Sequence, residues 1–196
     1  PHDIAAAGQS IYEDCLLHLV NYASKNFTSK NLILMGGCAL NCVANSRVLQ
    51  SGVWGNIWIM PNPGDAGSAI GAVLAARGNH IEWQGPYLGY NIPGQYPILD
   101  AIQILKNKGI VGVANGPAEF GPRALGNRSI FADPRIPDIK TKMNWLKKRE
   151  QFRPFAAVIP EQLAEHHFVM GEAKTSPYMQ FVFECKYPDR YPGIAH

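Results

Sequence analysis

The sequence predicts an α/β fold in its first half and an α+β arrangement in its second half. Short apolar runs, typical of buried strands, alternate there with stretches whose apolar residues recur at helical spacing. The order helix–strand–helix–strand–helix in the first half predicts parallel strands, with ligands bound at their C-terminal ends. Hydrophobic residues make up 46% of the chain and charged residues 17%, which excludes an intrinsically disordered protein.

The elements of the first half are separated by glycine and proline turns. Gly36-Gly37 ends the first strand, and a Pro/Gly turn ends the second. The predicted elements are, in order, helix Gln9–Ser24, strand Leu32–Met35, helix Ala39–Leu49, strand Ile57–Met60 and helix Ala66–Ala76.

The second half opens with Gly78–Pro97, a segment rich in glycine, proline and aromatic residues. Its aromatic residues predict a linker that lies over protein rather than a free tether. Gly109 is expected to cap the helix that follows the linker. The predicted elements are helix Ile98–Lys108, strand Ile110–Ala114, a helix from Pro137 to about Arg149, strand Phe155–Ile159, helix Glu161–Phe168 and strand Tyr178–Cys185.

Charge is distributed unevenly along the chain. Residues 1–95 carry four Lys/Arg and five Asp/Glu, a net charge of −1, whereas residues 96–196 carry fourteen and ten, a net charge of +4. We therefore expect the anion-binding surface in the second half. The excess is too small to indicate a nucleic-acid partner, and no apolar run approaches the ~20 residues of a membrane span. Four cysteines without a CxxC pair favour a reduced, cytoplasmic compartment and argue against zinc.

The strongest candidate for an anion site is the turn that contains Arg123 and Arg128. The two arginines lie five residues apart on a turn shaped by Gly121, Pro122 and Gly126, and Ser129 follows the second one. Guanidinium groups present a planar fork to oxyanions, which suits a clamp for phosphate or carbamoyl phosphate. The alternative is a solvated basic face. We favour that alternative for Lys140–Lys148, and function for the two arginines, since surface arginines need no glycines beside them.

A second candidate site lies in the first half. Gly36 and Gly37 stand at a strand-to-helix junction, where free N–H groups favour an anion, and Asn41 and Asn45 lie four residues apart on the next helix. These residues could bind a nucleotide. Asp65 opens the following helix and could coordinate a metal in the same crevice. A plain N-cap for Asp65 and a packing turn for the glycines remain open alternatives, since no P-loop, GxGxxG motif or catalytic triad is present.

Four motifs, in order, resemble the NodU/CmcH-type O-carbamoyltransferases, which include nodulation-factor and antibiotic-tailoring enzymes. The resemblance covers nearly the whole chain. The motifs are MGGCALNCVAN at Met35–Asn45, GDAGSAIGA at Gly64–Ala72, AEFGPRALGNRSIFADPR at Ala118–Arg135 and REQFRPFA at Arg149–Ala156.

The resemblance implies a fold and an activity. Residues 1–95 would be the C-terminal part of an actin-like (sugar kinase/Hsp70-type) carbamoyl-transfer domain, and residues 96–196 the N-terminal part of a YrdC-like domain. The parent enzyme would make carbamoyl-adenylate from carbamoyl phosphate and ATP, then transfer the carbamoyl group to a hydroxyl of a small-molecule or sugar acceptor. The alternative is a nucleotide- or phosphate-binding module of an actin-like ATPase without carbamoyl chemistry.

The resemblance also implies roles for particular residues. Asp65 would bind an iron-type divalent metal, with magnesium beside ATP as a second option, and Gly36, Gly37 and Asn41 would line the nucleotide pocket. Carbamoyl phosphate and ATP would be bound by five residues, the first two of them catalytic: Arg123, Arg128, Ser129, Arg149 and Arg153.

Some features depart from the family pattern. Cys38 stands where the family usually has valine, and the paired histidines that complete its metal site are absent, since no H-x-x-x-H occurs. His196 resembles the start of the family's His-Val-Asp-Gly segment. The isolated 196-residue piece is therefore expected to be inactive, and a homodimer remains open.

Overall fold

The computed structural model describes residues 1–195, and within them the protein is a mixture of helices and small sheets. The α-helices are α1 (His2–Asn26), α2 (Cys42–Gln50), α3 (Ser68–Arg77), α4 (Ile98–Lys108), α5 (Ile139–Leu146) and α6 (Glu161–His167). The strands are β1 (Asn31–Leu34), β2 (Asn56–Ile59), β3 (Asn91–Ile92), β4 (Ile110–Ala114), β5 (Gly116–Pro117), β6 (Arg128–Ala132), β7 (Phe168–Val169) and β8 (Glu184–Cys185). Short 3₁₀ turns occupy Gly37–Leu40, Asp65–Gly67 and Pro188–Arg190.

The chain divides into two compact units. The first contains Pro1–Glu82 and Gly171–Val182, and the second contains Trp83–Met170 and Phe183–His196. Each sheet among the described residues has two strands. The mixed α/β character is as the sequence predicts, whereas the actin-like and YrdC-like assignments and the boundary at residue 95 stay predictions. No described helix is both long enough and apolar enough to cross a membrane.

The first unit is built on the predicted pair of parallel strands. β1 and β2 pair in parallel, with Leu32 opposite Ile57. The core under this sheet contains Val20 of α1, Val48 of α2 and Trp54, whose indole N–H donates to the Val20 carbonyl at 3.2 Å. The loops that follow β1 and β2 are therefore supported by a packed core of this sheet and two helices.

The first helix is longer than predicted and buries less of its apolar pattern. α1 extends seven residues before the predicted start at Gln9, and Ile11, Cys15 and Leu19 of the pattern are exposed. The side chains of Leu16, Val20 and Ala23 do pack on the core. The helix itself was predicted correctly, but only part of its apolar face packs against other described residues.

The second unit contains a strand that the sequence did not reveal. β6 pairs antiparallel with β4, so that Arg128 is opposite Ala114 and Ser129 is opposite Val113. The sequence pattern had assigned both residues to a turn. Gly109 ends α4 in the left-handed conformation, as predicted, with φ 76° and its N–H bonded to the Leu105 carbonyl.

One predicted strand is wrong throughout and another is wrong for most of its length. Phe155–Ile159 forms no strand, and of Tyr178–Cys185 only Glu184–Cys185 is paired. The apolar runs there lack a neighbouring strand to bond with, and a strand requires one. α5 begins at Ile139 instead of Pro137, and it ends at Leu146.

The aromatic linker lies over protein, as the sequence predicts. The Tyr87 and Tyr96 hydroxyls donate to the carbonyls of Leu125 and Gly126, both at 2.8 Å. β3, in the same segment, pairs with β5. The ring of Tyr90 is an exception, because it is exposed. The linker therefore supports the loop that precedes β6.

Candidate functional site

The loop between β5 and β6 is organised around the carboxylate of Glu119. One oxygen, Oε1, accepts hydrogen bonds from the backbone N–H groups of Leu125, Asn127 and Arg128 at 2.8, 2.8 and 3.1 Å. Successive N–H groups that converge in this way form an anion-binding nest. This nest of amides is occupied by a carboxylate of the protein itself, and the binding of an external anion by Arg123 and Arg128 stays a prediction.

The pKa of Glu119 reflects this setting. Burial on its own raises the pKa of the carboxyl, but the backbone hydrogen bonds from Leu125, Arg128 and Asn127 outweigh it and hold the pKa below its ordinary value. The pKa of Tyr96 is raised, first by burial and then by the negative charge of Glu119. A carboxyl whose pKa lies below its ordinary value is expected to be ionised at neutral pH.

The guanidinium of Arg128 is directed at backbone carbonyls. Nη1 donates to Asn127, Asn115 and Gly116 at 2.7, 2.9 and 3.2 Å, and Nη2 donates to Tyr90 at 2.8 Å. The alternative interpretation, in which Arg128 belongs to a solvated basic face, therefore does not hold. Arg128 joins the linker to the loop, and its proposed contact with a phosphate stays a prediction.

Ser129 and the glycines fix the shape of the same loop. The N–H of Gly126 donates to the Ser129 hydroxyl at 2.8 Å. Gly126 has φ 116°, a backbone conformation that side chains disfavour, so the turn does require glycine there. Arg123 is half-buried in this loop.

A second basic cluster surrounds the end of α5, and the buried Asn144 holds it together. The Asn144 side chain is fully buried (0% exposed); its Nδ2 donates to the carbonyls of Gln151 and Arg153 at 3.2 and 3.0 Å, and its Oδ1 accepts from Arg149 Nε. The Arg149 guanidinium also lies over the Phe155 ring, 4.2 Å from its centroid. Asn144 and Phe155 therefore fix the plane of this guanidinium.

Arg149 and Arg153 line one open groove of about 920 Å³. The pKa of Arg149 is lowered, first by burial and then by the charge of Arg153, and Arg153 is paired with Glu150 at 2.7 Å. The residues that line the groove are Trp145, Leu146, Lys148, Arg149, Glu150, Gln151 and Arg153. Arg123 and Arg128 are not among them, so this groove contains two of the four predicted arginines.

Lys148 ends α5 in an unusual conformation for its residue type. Its φ is 49°, while its N–H bonds to the Trp145 carbonyl and the next N–H, of Arg149, bonds to the Asn144 carbonyl, both at 3.0 Å. This is the Schellman arrangement, in which glycine is preferred at the left-handed position. A side chain there costs about 1 kcal/mol.

We expect Lys148→Gly to stabilise the protein by about 1 kcal/mol, because glycine adopts this conformation without strain. Lys147 is the matched control, since it adopts an ordinary helical conformation with φ −81°. Lys147→Gly should lower the free energy of unfolding instead. Urea denaturation of both variants measures the difference, and equal effects would contradict the assignment of strain to Lys148.

In the first unit, the loops after β1 and β2 meet at the glycine pair. The Gly36 N–H donates to the Pro63 carbonyl at 2.7 Å, and a Cβ on Gly64 would touch Gly37. Gly36 has φ 94°, and side chains at Gly36 or Gly37 would project into open space. The backbone conformation therefore requires glycine at position 36. The lack of side chains at both positions leaves free volume beside the loop.

Contrary to the prediction, Asn41 and Asn45 do not share a helix face. Asn41 precedes α2 as its N-cap, with Oδ1 accepting from the Ala44 N–H at 3.1 Å, and its amide pairs with that of Gln9. Asn45 lies within α2, is 1% exposed, and donates to the carbonyls of Ala39 and Gln180. The N-cap position explains the difference, because an asparagine in that place bonds to its own helix.

Asp65 is exposed and opens a 3₁₀ turn, whose N-cap is Gly64. Neither this turn nor α3 has a side-chain cap, so Asp65 is not the N-cap that the alternative interpretation assumed. Its role as a metal ligand stays a prediction. Residues 1–195 contain no group of three His, Cys, Asp or Glu side chains that could hold a metal, so Asp65 could supply one ligand and the described residues do not supply the rest.

Comparison with known families accounts for most of the chain. A model described as "Carbamoyltransferase N-terminus" matches residues 1–74, and one described as "Carbamoyltransferase C-terminus" matches residues 102–196. The chain belongs to the carbamoyltransferase family. The loop that contains Gly36 and Gly37, called the glycine loop below, lies within the first match together with Asp65. The β5–β6 loop and the groove lie within the second.

Similar proteins support the assignment. An uncharacterized protein of Synechocystis sp. is 36% identical over 97% of the chain and 36% of its own length. Two proteins named Nodulation protein U, from Rhizobium tropici and Sinorhizobium fredii, are 37% and 34% identical over the whole chain and over 37% and 38% of their own lengths. The chain thus spans just over a third of the length of these relatives.

Sequence reasoning missed two residues that organise the β5–β6 loop and the groove. Glu119 lies two residues before Gly121, and a carboxylate close to a glycine turn is a signal for hydrogen bonds from turn amides. Asn144 follows Met143 in the apolar face of α5, and a polar residue next to such a face indicates a buried hydrogen-bonding role.

Proposed function

We propose that this chain is part of an O-carbamoyltransferase that forms carbamoyl-adenylate from carbamoyl phosphate and ATP. The carbamoyl group then passes to a hydroxyl of a small molecule or sugar. The observation that carries this proposal is the groove in which Arg149 and Arg153 lie, because it sits in the family's C-terminal match and offers two cations to one ligand.

The electrostatics of the groove favour a dense anion. Burial, and then the charge of Arg153, lower the pKa of Arg149, and a bound phosphate would offset both effects by attraction. Arg149 is held in one plane by Asn144 and Phe155, so its outer N–H groups are oriented before a ligand arrives. Preorganised donors of this kind stabilise charge that develops on phosphate oxygens.

The chemistry proposed for the groove exchanges one leaving group for another. Water first displaces inorganic phosphate from carbamoyl phosphate and leaves carbamate. A carbamate oxygen then bonds to the α-phosphorus of ATP, and pyrophosphate leaves. In the transfer step, the acceptor oxygen forms a bond to the carbamoyl carbon, the bond to AMP breaks, and the hydroxyl proton is released. Clustered cations lower the barrier to the reaction with ATP because both its substrates are anions.

The glycine loop of the first unit is proposed to bind the nucleotide. Gly36 and Gly37 leave open space beside the backbone, and the 3₁₀ turn Gly37–Leu40 leads from them to α2, whose N-cap is Asn41. The positive end of a helix favours a phosphate. Asp65, on the neighbouring loop, would contribute one ligand to a divalent metal.

The experiment is carbamoyl-phosphate-dependent exchange between ATP and pyrophosphate in the intact enzyme that contains this chain. We expect Arg153→Ala to reduce the exchange rate about 100-fold, as the loss of a transition-state donor does in other enzymes. Arg135→Ala is the matched control, since both arginines bond to a nearby acid at 2.7 Å and Arg135 does not line the groove. Equal rates in the two variants would remove the groove from the mechanism.

A further inference from the structure

One short segment of the second family match belongs to the first compact unit. Residues 171–182 lie within the C-terminal match, 102–196, but cluster with Pro1–Glu82. Within that unit the segment bonds to α2, which lies in the N-terminal match. The helix that follows the glycine loop is therefore bonded to residues from the other half of the sequence.

Two polar side chains of α2 make these bonds. The Ser46 hydroxyl accepts from the Val182 N–H at 2.8 Å and donates to the Cys42 carbonyl at 2.9 Å. Asn45 Nδ2 donates to the Gln180 carbonyl at 3.2 Å and to the Ala39 carbonyl at 2.8 Å. Because Ala39 lies in the 3₁₀ turn that starts at Gly37, Asn45 links the segment directly to the glycine loop.

Burial makes this link specific. Asn45 and Ser46 are 1% and 7% exposed, and the Oδ1 atom of Asn45 is buried without a hydrogen-bond partner among the described residues. An unsatisfied buried acceptor costs free energy. An apolar residue would remove that cost but would leave the Ala39 and Gln180 carbonyls without this donor, so asparagine suits the position because it joins the two.

The segment itself is held in a strained turn. Met179 has φ 59°, one of two positive values among the described non-glycine residues. The Gln180 side chain accepts from the Tyr178 N–H at 2.8 Å, and the Phe181 N–H donates to the Ser176 hydroxyl at 3.3 Å. Left-handed conformations of such residues persist only where the surroundings enforce them, and they concentrate at functional sites.

We propose that Asn45 and Ser46 are positioning residues, which hold the turn Ser176–Val182 against the glycine loop and so set the affinity of that loop for a nucleotide. The proposal rests on the nucleotide-binding role proposed for Gly36 and Gly37. The Asn45 amide donates one hydrogen bond to Gln180 of the turn and one to Ala39 of the glycine loop. Displacement of the turn would therefore shift Asn45 and weaken its bond to the glycine loop.

The test uses Ser46→Ala in the intact enzyme, with Ser51→Ala as the matched control. Ser51 lies at the end of the same helix, and its hydroxyl donates only locally, to the Val48 carbonyl at 2.6 Å. Hydrogen exchange of the Val182 amide reports the anchor, and titration with a non-hydrolysable ATP analogue reports the site. We expect both the exchange rate and the Kd to rise about fivefold in Ser46→Ala, the effect of one lost hydrogen bond. Ser51→Ala should change neither, and Ser46→Thr, which keeps the hydroxyl, should restore both.

Each other outcome overturns the proposal. Unchanged exchange at Val182 would show that Ser46 does not anchor the turn. Faster exchange with an unchanged Kd would make the anchor merely structural, while the nucleotide site would stand. If the unaltered enzyme binds no nucleotide at all, the proposed role of the glycine loop fails and the positioning role fails with it.

Discussion

Gly67→Ala is expected to destabilise the first unit by about 3 kcal/mol, the upper part of the range for overpacking. Gly67 is buried at the end of the 3₁₀ turn that Asp65 opens, and a Cβ there would overlap the carbonyl oxygen of Asn62. That oxygen belongs to the backbone of the β2–α3 loop and cannot rotate away as a side chain would. The loop must shift, and Asp65 must shift with it.

Gly71→Ala provides the control for this prediction. Gly71 lies in α3 with open space where its side chain would project, so alanine should stabilise the helix by about 0.5–1 kcal/mol. Guanidinium denaturation compares the two variants in one background. If Gly67→Ala were as stable as the unaltered protein, the close approach to Asn62 would be wrong.

Glu119→Ala is expected to cost about 3 kcal/mol, because it leaves the N–H groups of Leu125, Asn127 and Arg128 without their acceptor. The loop that carries Arg123 should lose its shape as a result. Glu184→Ala, at an exposed glutamate of β8, should change stability little. A circular dichroism melt of the two variants measures the difference.

The pH dependence of Glu119→Gln tests the charge on this carboxylate separately. Since the pKa of Glu119 is lowered in the folded protein, its contribution to stability is present above the unfolded pKa of about 4.3 and is lost as the pH falls through the folded value. The unaltered protein should therefore be more stable than Glu119→Gln at pH 7, and the gap should close in acid. A gap that stays constant with pH would contradict an ionised Glu119.

Much of the fold follows from local sequence signals. The parallel strands β1 and β2 and the helix α4 lie within one residue of their predicted bounds, because short apolar runs and helical periodicity are properties of the segment itself. β6 was missed because its pairing with β4, across an intervening loop, decides that it is a strand. Phe155–Ile159 was assigned wrongly for the converse reason, since it has the apolar pattern of a strand but pairs with no strand among the described residues.

The candidate site was predictable in its residue types but not in its hydrogen bonding. The glycines at 36 and 126 do adopt conformations that require glycine, as their place in the motifs suggests. Sequence could not show that Arg128 donates to four carbonyls, or that Glu119 occupies the amides of the turn. Those bonds depend on where Tyr90 and Asn115 lie in space, and no spacing rule encodes that.

Calorimetric titration of the intact enzyme with carbamoyl phosphate tests the central claim, that the groove of Arg149 and Arg153 binds this ligand. Saturable binding is expected, and Arg149→Lys should weaken it about tenfold, because lysine keeps the charge but loses the planar fork that Asn144 orients. Absence of binding at millimolar ligand, or equal affinity in Arg149→Lys, would contradict the account.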